Sequence, residues 1–514
     1  MSNVAVSGPS RSGRHVTFEH LGQPAVELEV DFVVIGSGAG GGAAAAVLAR
    51  SGLRVAVVEA GPWRSLEDYP HSTYGAMRDL FADWGALVTQ SRALWPIVQA
   101  ACVGGTTVVN SAIVVRTPAD CFERWEREYG IPAKGLSRRV WEHQDRIEKE
   151  LHVGVVPPDA RGLSNVLARE AADHMDWQSH YMARSVHDCE GTGQCLQGCR
   201  KGRKQSTNLN YVPEVIERGG YVLSCAPVDR VTREGSRVTG VVGHFRDPVT
   251  RRAGSPFTVR ARRAVIVAAS ATATPILLER SGLKSRALGT LFRSHPGTGI
   301  FGVYDHPVDQ NVGATQGWAS TAFRVEPGFK LETLAIPPEM VAGRLPGGGR
   351  ELVRRFREYR HIAMWVAAVR AESAGTVKRG LFGNTVVRYQ LDEPDMHRFR
   401  SGLAMVAKLH FAAGAKAVIP GIYGLPYKLG PDEVHKIEEG PLDPRCYIAI
   451  LSHLFGGCPM SADPKIGVVG ADGKVHGVEG LYVADASVIP TTIGVNPQHT
   501  IMGLASTFAE QLVS

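Results

Sequence analysis

The chain has 514 residues, 44% hydrophobic and 21% charged, an ordinary globular composition too long for one core, so two domains or one large interleaved pair are expected. A formal charge of +7 on dispersed Arg and Lys, without aromatic-basic interleaving, describes a solvated surface and excludes a nucleic-acid footprint. Eight cysteines in so large a chain argue against a disulfide framework, and no apolar run approaches the ~20 residues of a membrane span, so a soluble, cytoplasmic protein without a transmembrane segment is expected.

Residues 1–25 read as a flexible polar arm. Arg11 and Arg14 are not followed by an apolar core, so no secretory or twin-arginine signal is expected. Asp31 to Ile35 then reads as a buried strand, Ala43 to Ser51 as a small-residue helix and Arg54 to Glu59 as a second strand. Between strand and helix lies Gly36-Ser37-Gly38-Ala39-Gly40-Gly41, the context a dinucleotide loop requires. Gly36 permits the tight turn, Gly38 lets backbone approach a pyrophosphate, and Gly41 lets helix and strand pack closely. The positive end of the helix faces the phosphates. Glu59, 18 residues after Gly41, can accept hydrogen bonds from ribose hydroxyls and disfavours a 2′-phosphate, hence NADP. The loop alone does not separate FAD from NAD.

Further along, Gly104 and Gly105 would let backbone approach a flat ring, with Asn110 offering polar contact nearby. Cys189, Cys195 and Cys199 sit in a Gly-rich stretch, and clustered soft thiolates favour iron–sulfur ligation or, with His187, a zinc site. Structural thiols are the third reading. Tracts 221–245 and 256–268 alternate apolar and polar residues around turn signals, as in a meander. Ala264 to Ala269 reads as a buried strand and Thr274 to Glu279 as the helix behind it, and a Gly/Pro loop spans 345–349. Ile362 to Val366 suits core packing more than a pocket wall.

Near the end, Asp485 closes an apolar strand, where a buried carboxylate either caps the next turn or meets ligand hydroxyl donors. Asn496-Pro497 reads as N-cap and N1 of a helix from Gln498 to Leu512, its positive end aimed at whatever lies before it.

Five ordered segments resemble the signatures of the glucose-methanol-choline (GMC) oxidoreductases. They are Gly104 to Asn110, Ser270 to Gly282 (with Lys284 where a final glycine is usual), His453 to Met460, Leu481 to Ser487, and Asn496-Pro497-x-x-Thr500. The resemblance implies an α/β (α+β overall) fold. A Rossmann-like FAD-binding domain would come from 26–118, 205–295 and 445–514, and an interleaved mixed-sheet substrate domain from 119–204 and 296–444. Members with covalent flavin carry a histidine immediately before the asparagine. Here Val109 implies dissociable FAD. Val228 matches a position whose backbone meets the adenine.

The resemblance also makes His453 the acid/base of alcohol oxidation and Asn496 the partner of the substrate oxygen, in the His/Asn branch that includes sterol oxidases. Histidine suits that step, with an ordinary pKa of ~6.5. His499 reads as a flavin neighbour or a packing residue. The Gly202 to Thr207 segment is similar to one in long-chain alcohol oxidase-like members, and the three cysteines resemble a cluster site in some FAD-dependent dehydrogenases. An alcohol substrate, leaning to a bulky hydrophobic one, with oxygen or another acceptor, is the leading expectation. A dehydrogenase passing electrons through a cysteine-bound cluster, an NAD-dependent dehydrogenase, and a flavin electron-transfer protein without alcohol turnover are the alternatives.

Overall fold

Val26–Ile35 and Ala253–Val267 run parallel, in register from Val26 opposite Phe257 to Ile35 opposite Val267 with one irregularity between Ala261 and Ala264. In this computed structural model, which describes residues 13–513 except 21 and 23, the pair forms the spine of an eight-stranded sheet. On one side lie Val55–Val58, Tyr221–Leu223 and Arg14–Val16, all parallel. On the other, Arg237–Arg246 and Val228–Glu234 fold back as an antiparallel meander, and Leu481–Val483 joins the end of Ala253–Val267 in parallel. Val55 to Val58 are all buried, as a strand covered on both faces must be.

Three expectations change here. The first strand starts at Val26, because residues 26–30 find partners at 257–261. Arg14–Val16, inside the stretch read as a polar arm, is an edge strand whose backbone pairs with Tyr221–Leu223; Arg11 lies outside the described residues. The helix after the glycine loop spans Ala39–Arg50, so the run of glycines forms its first turn. Gly40 is required there, since a Cβ would overlap the carbonyl oxygen of Ala484. Gly40→Ala is therefore expected to cost about 1–3 kcal/mol in denaturant unfolding; an unchanged midpoint would show that Ala484 moves aside.

A second, seven-stranded sheet is antiparallel throughout. Its order is Ala417–Ile419, Arg293–Val303, Ile362–Val369, Phe329–Thr333, Trp318–Ser320 and His180–Tyr181, with Ile450–Phe455 also on Arg293–Val303. All eight residues of Ile362–Val369 are buried, which makes that stretch core. Glu393–Ala412 covers the sheet, its start capped by the Asp392 side chain accepting from Asp395 N.

The last helix, Gln498–Gln511, packs on Ala39–Arg50, whose buried Ala43 to Ala46 permit a close crossing. Asn496 is not its N-cap. Pro497 occupies that position, without a side-chain cap, and its carbonyl accepts from Ile501 N at 2.9 Å. The Asn496 amide is thereby free for other partners. Among the described residues no helix is long and apolar enough to cross a membrane.

Candidate functional site

Two glycine loops meet at the carboxyl ends of the central strands. Gly36 has φ 95°, and a side chain there would overlap the Ala268 carbonyl. Gly41 is confined in the same way by the Gly36 carbonyl. A Cβ on Gly105 would lie 2.8 Å from Gly38 Cα, so bare backbone faces bare backbone across the space before the helix. Gly104 adopts φ 98° and Gly105 φ 51°, left-handed values that favour glycine. Exposed backbone at a helix N-terminus is what a pyrophosphate needs, and these residues fit a dinucleotide.

Glu59 is buried, and one carboxylate oxygen accepts from Ser37 N at 3.0 Å and Ser37 Oγ at 2.7 Å. The other accepts from Gly61 N at 2.9 Å. Burial pushes its carboxyl up from the ordinary value, against these hydrogen bonds. With three of about four acceptor sites filled, one is left for a hydroxyl donor. Ser37 Oγ in turn accepts from Gly104 N at 2.9 Å, which joins the two loops.

The Gly202 to Thr207 segment clamps both loops, a role its sequence did not disclose. Thr207 Oγ1 donates to Ser37 O at 2.8 Å, and its backbone N–H donates to Thr107 Oγ1 at 3.2 Å. Lys204 is buried and donates to the carbonyls of Val108, Asn110 (2.8 Å) and Cys195 (2.8 Å). Burial lowers its pKa to about 8. Asn110 then bridges to the last helix, donating from Nδ2 to Gln498 Oε1 at 2.5 Å while its Oδ1 accepts from Ala112 N at 2.9 Å.

Asp485 is buried at the end of Leu481–Val483 and accepts from Ser487 N (2.8 Å), Ser270 N (2.9 Å) and Thr274 Oγ1 (2.5 Å). It caps the following short turn, as the capping reading foresaw, and it also fixes Ser270, whose φ is 101°. Val228 is buried at the start of its strand, opposite Gly243. His499 pairs with Glu148 at 3.1 Å. That hydrogen bond is the first cause of a Glu148 pKa of about 2, so His499 is a packed, paired residue.

A second polar centre lies where Ile450–Phe455 meets the segment before the last helix. His453 Nε2 is 3.3 Å from Asn496 Nδ2, and its Nδ1 is 3.4 Å from His295 Nδ1. His295 Nε2 accepts from Gly494 N at 2.9 Å. Asn496 Oδ1 accepts from the Lys330 ammonium, which also pairs with Glu332 at 2.7 Å. Lys330 and Glu332 are 2% and 4% exposed, a buried ion pair inside the second sheet. Burial lowers the His453 pKa to about 4, with Glu332 opposing and Lys330 reinforcing the shift. His295 falls well below the ordinary value for the same first reason. Both rings are neutral at pH 7.

Among the described residues no group of three or more His, Cys, Asp or Glu side chains is arranged to hold a metal, so the iron–sulfur and zinc readings of Cys189, Cys195, Cys199 and His187 gain no support. Cys195 instead faces cations. Arg184 donates to its sulfur at 3.0 Å, and Lys204 lies close enough to act on it electrostatically.

Residues that sequence reasoning missed are Ser37, Arg184, Lys204, Thr207, His295, Lys330, Glu332 and Gln498. Lys330 and Glu332 alternate with Phe329 and Leu331 along their strand, a pattern that in sequence reads as one exposed, charged face and so gave no signal of a buried pair.

Comparison with known proteins gives one family. The N-terminal GMC oxidoreductase model matches residues 32–297 and the C-terminal one residues 373–505. An uncharacterized GMC-type oxidoreductase of Mycobacterium tuberculosis is 36% identical over 490 residues, covering 94% of this chain and 76% of its own. A long-chain-alcohol oxidase of Arabidopsis thaliana is 28% identical over 534 residues, covering 98% and 70%. Among solved structures, a formate oxidase matches with TM-score 0.70 at 18% identity, covering 95% of this chain and 98% of that one. A pyridoxine 4-oxidase from Mesorbium loti matches with TM-score 0.68 at 16% identity, covering 94% and 98%. The α/β fold, one mixed sheet and one antiparallel sheet, is thus shared with the two solved oxidases, and the chain belongs to the GMC oxidoreductase family.

Proposed function

We propose that this GMC oxidoreductase binds FAD without a covalent link and oxidises the CH–OH group of an alcohol to a carbonyl. His453 would exchange a proton with the substrate oxygen, and Asn496 would position that oxygen. The observation that carries the reading is the 3.3 Å approach of His453 Nε2 to Asn496 Nδ2, with the amide orientation set by Lys330. Gly36, Gly38, Gly41, Glu59, Gly104, Gly105, Asn110, Val228, Asp485 and Pro497 would hold the cofactor. Bound FAD would supply the hydride acceptor at its N5. At the position where some members carry a linking histidine stands Val109, buried and without a nucleophile, so acid precipitation should release all flavin into the supernatant.

Proton counting supports an oxygen ligand between the two side chains. Proton positions are assigned here from hydrogen-bond partners. Gly494 N–H fills His295 Nε2, so neutral His295 carries its proton on Nδ1, facing His453 Nδ1. If His453 accepts there, its own proton lies on Nε2, beside the Asn496 amide. Two donors then converge with no acceptor between them. An alkoxide or carbonyl oxygen would accept from both, and charge developing on it would be met by preorganised donors. In the other tautomer Nε2 is a free base for the hydroxyl proton, at the cost of two N–H groups facing each other across 3.4 Å. The pair thus serves both ends of the reaction.

The likeness to a long-chain-alcohol oxidase favours a bulky hydrophobic alcohol and oxygen as acceptor. The test is anaerobic mixing of the flavin-loaded enzyme with long-chain alcohols, sterols and sugars, followed by air. Bleaching by a long-chain alcohol and recovery with peroxide release are expected. Bleaching by none of the three classes would overturn the alcohol reading.

A further inference from the structure

Cys195 begins a short turn, Cys195–Gln197, in a cleft it shares with Cys189 and Cys199. All three are half-buried free thiols. The cleft is electropositive on the side of Cys195. Arg184, fully buried, donates from one nitrogen to Ser111 O at 2.8 Å and from a second to Cys195 Sγ at 3.0 Å. Its third nitrogen, Nη1, is buried without a hydrogen-bond partner. Lys204 closes the other side, donating to the Cys195 carbonyl at 2.8 Å. The acidic group lining the cleft, Glu190, is already engaged by Lys201 at 3.3 Å and Arg203 at 2.9 Å. An unpaired buried guanidinium nitrogen costs free energy unless it meets an acceptor, and it belongs to a side chain that lines the same cleft as the three sulfurs.

We propose that Cys195 is a peroxide-reactive thiolate, with Arg184 Nη1 holding a peroxide oxygen and a neighbouring thiol of the same cleft as the resolving partner. The Cys195 thiolate attacks the nearer oxygen of hydrogen peroxide. An S–O bond forms and the O–O bond breaks, so that sulfur loses two electrons, peroxide gains them, and hydroxide leaves. The sulfenic acid is then attacked by Cys189 or Cys199. An S–S bond forms, the S–O bond breaks, and the departing hydroxide takes the thiol proton as water. Electropositive, partly exposed surroundings are where reactive thiols occur, whereas apolar burial makes them inert. Burial pushes the Cys195 thiol up, but Arg184 and Lys204 outweigh it and bring the pKa to about 7.

The site is linked to the flavin loops. Arg184 and Lys204 bond both Cys195 and the backbone carbonyls of residues 108, 110 and 111. Oxidation removes the sulfur's negative charge between those two cations. The chemistry does not depend on which acceptor the flavin uses, because peroxide can be added.

Full-length, flavin-loaded protein is treated with hydrogen peroxide near stoichiometric amounts, with and without a dione that traps sulfenic acids, and its peptides are mapped by mass. The trap should mark Cys195 first. Without it, a thiol-reversible cross-link two hydrogens lighter should join Cys195 to Cys189 or Cys199, and Cys195→Ser should abolish both. Independently of any variant, iodoacetamide at pH 7 should label Cys195 about fivefold or more faster than Cys446. Cys446 is a half-buried thiol whose neighbour Arg445 is bound to Asp443. Equal labelling of the two, or peroxide adducts that ignore Cys195, would overturn the proposal.

Discussion

His453→Ala is expected to lower kcat for alcohol-driven flavin reduction by about 10²–10⁴-fold, with the flavin content of the purified protein unchanged. Flavin content should hold because the imidazole touches Asn496 and His295 and none of the glycine-loop residues. The pH dependence sharpens the test. With a pKa of about 4, the imidazole is already neutral across the physiological range. The limb of kcat/KM that reports this group should stay flat from pH 8 to about 5 and fall only below, whereas an unperturbed histidine would produce a fall near 6.5. A native profile bending near 6.5, or a variant that bleaches at the native rate, removes His453 from the proton step.

The same shift has a stability sign. The folded state takes up the proton near pH 4 and the unfolded chain near 6.5, so between these values the unfolded chain binds more protons. Stability contributed by the neutral buried ring is complete above pH 6.5 and is lost as pH falls toward 4, by at most about 1.4 kcal/mol per unit. His453→Ala lacks that slope. The stability difference between native protein and variant should therefore move in the variant's favour on acidification, by up to about 2 kcal/mol between pH 6.5 and 5 in denaturant titrations.

How much of this was legible without coordinates differs between the two halves of the site. The cradle proposed for the cofactor is written locally. Gly36, Gly38 and Gly41 act within one strand-turn-helix unit, so their spacing encodes their task, and Glu59 follows at the end of the next strand. His453 and Asn496 were visible through family motifs, though the reading of Asn496 as a helix cap misjudged its side chain, which turns to Lys330 and His453. Lys330 could not be read. Its contact with Asn496 spans 166 residues, and a lysine two positions from a glutamate on a strand looks like an exposed pair. Lys204 was seen only as part of a segment without an assigned task. A lysine that ties three carbonyls together has no sequence signature, because backbone acceptors are the same whatever residue carries them.

Lys330→Met should be the most destabilising single change in the second sheet. It leaves the Glu332 carboxylate buried without its counter-charge and Asn496 Oδ1 without its donor. Removing one partner of a buried ion pair costs about 3–5 kcal/mol, whereas replacing both by apolar groups of similar size is often neutral or favourable. The double variant Lys330→Met/Glu332→Leu should therefore regain most of the lost stability in denaturant unfolding. It should not regain activity. With Oδ1 unheld, the Asn496 amide can turn its oxygen toward His453, and the two-donor arrangement around the substrate oxygen is lost, so kcat should stay about tenfold or more below native. Stability and turnover thus separate in one construction. A double variant that is stable and fully active would show that the buried pair holds the sheet together and leaves Asn496 to orient itself.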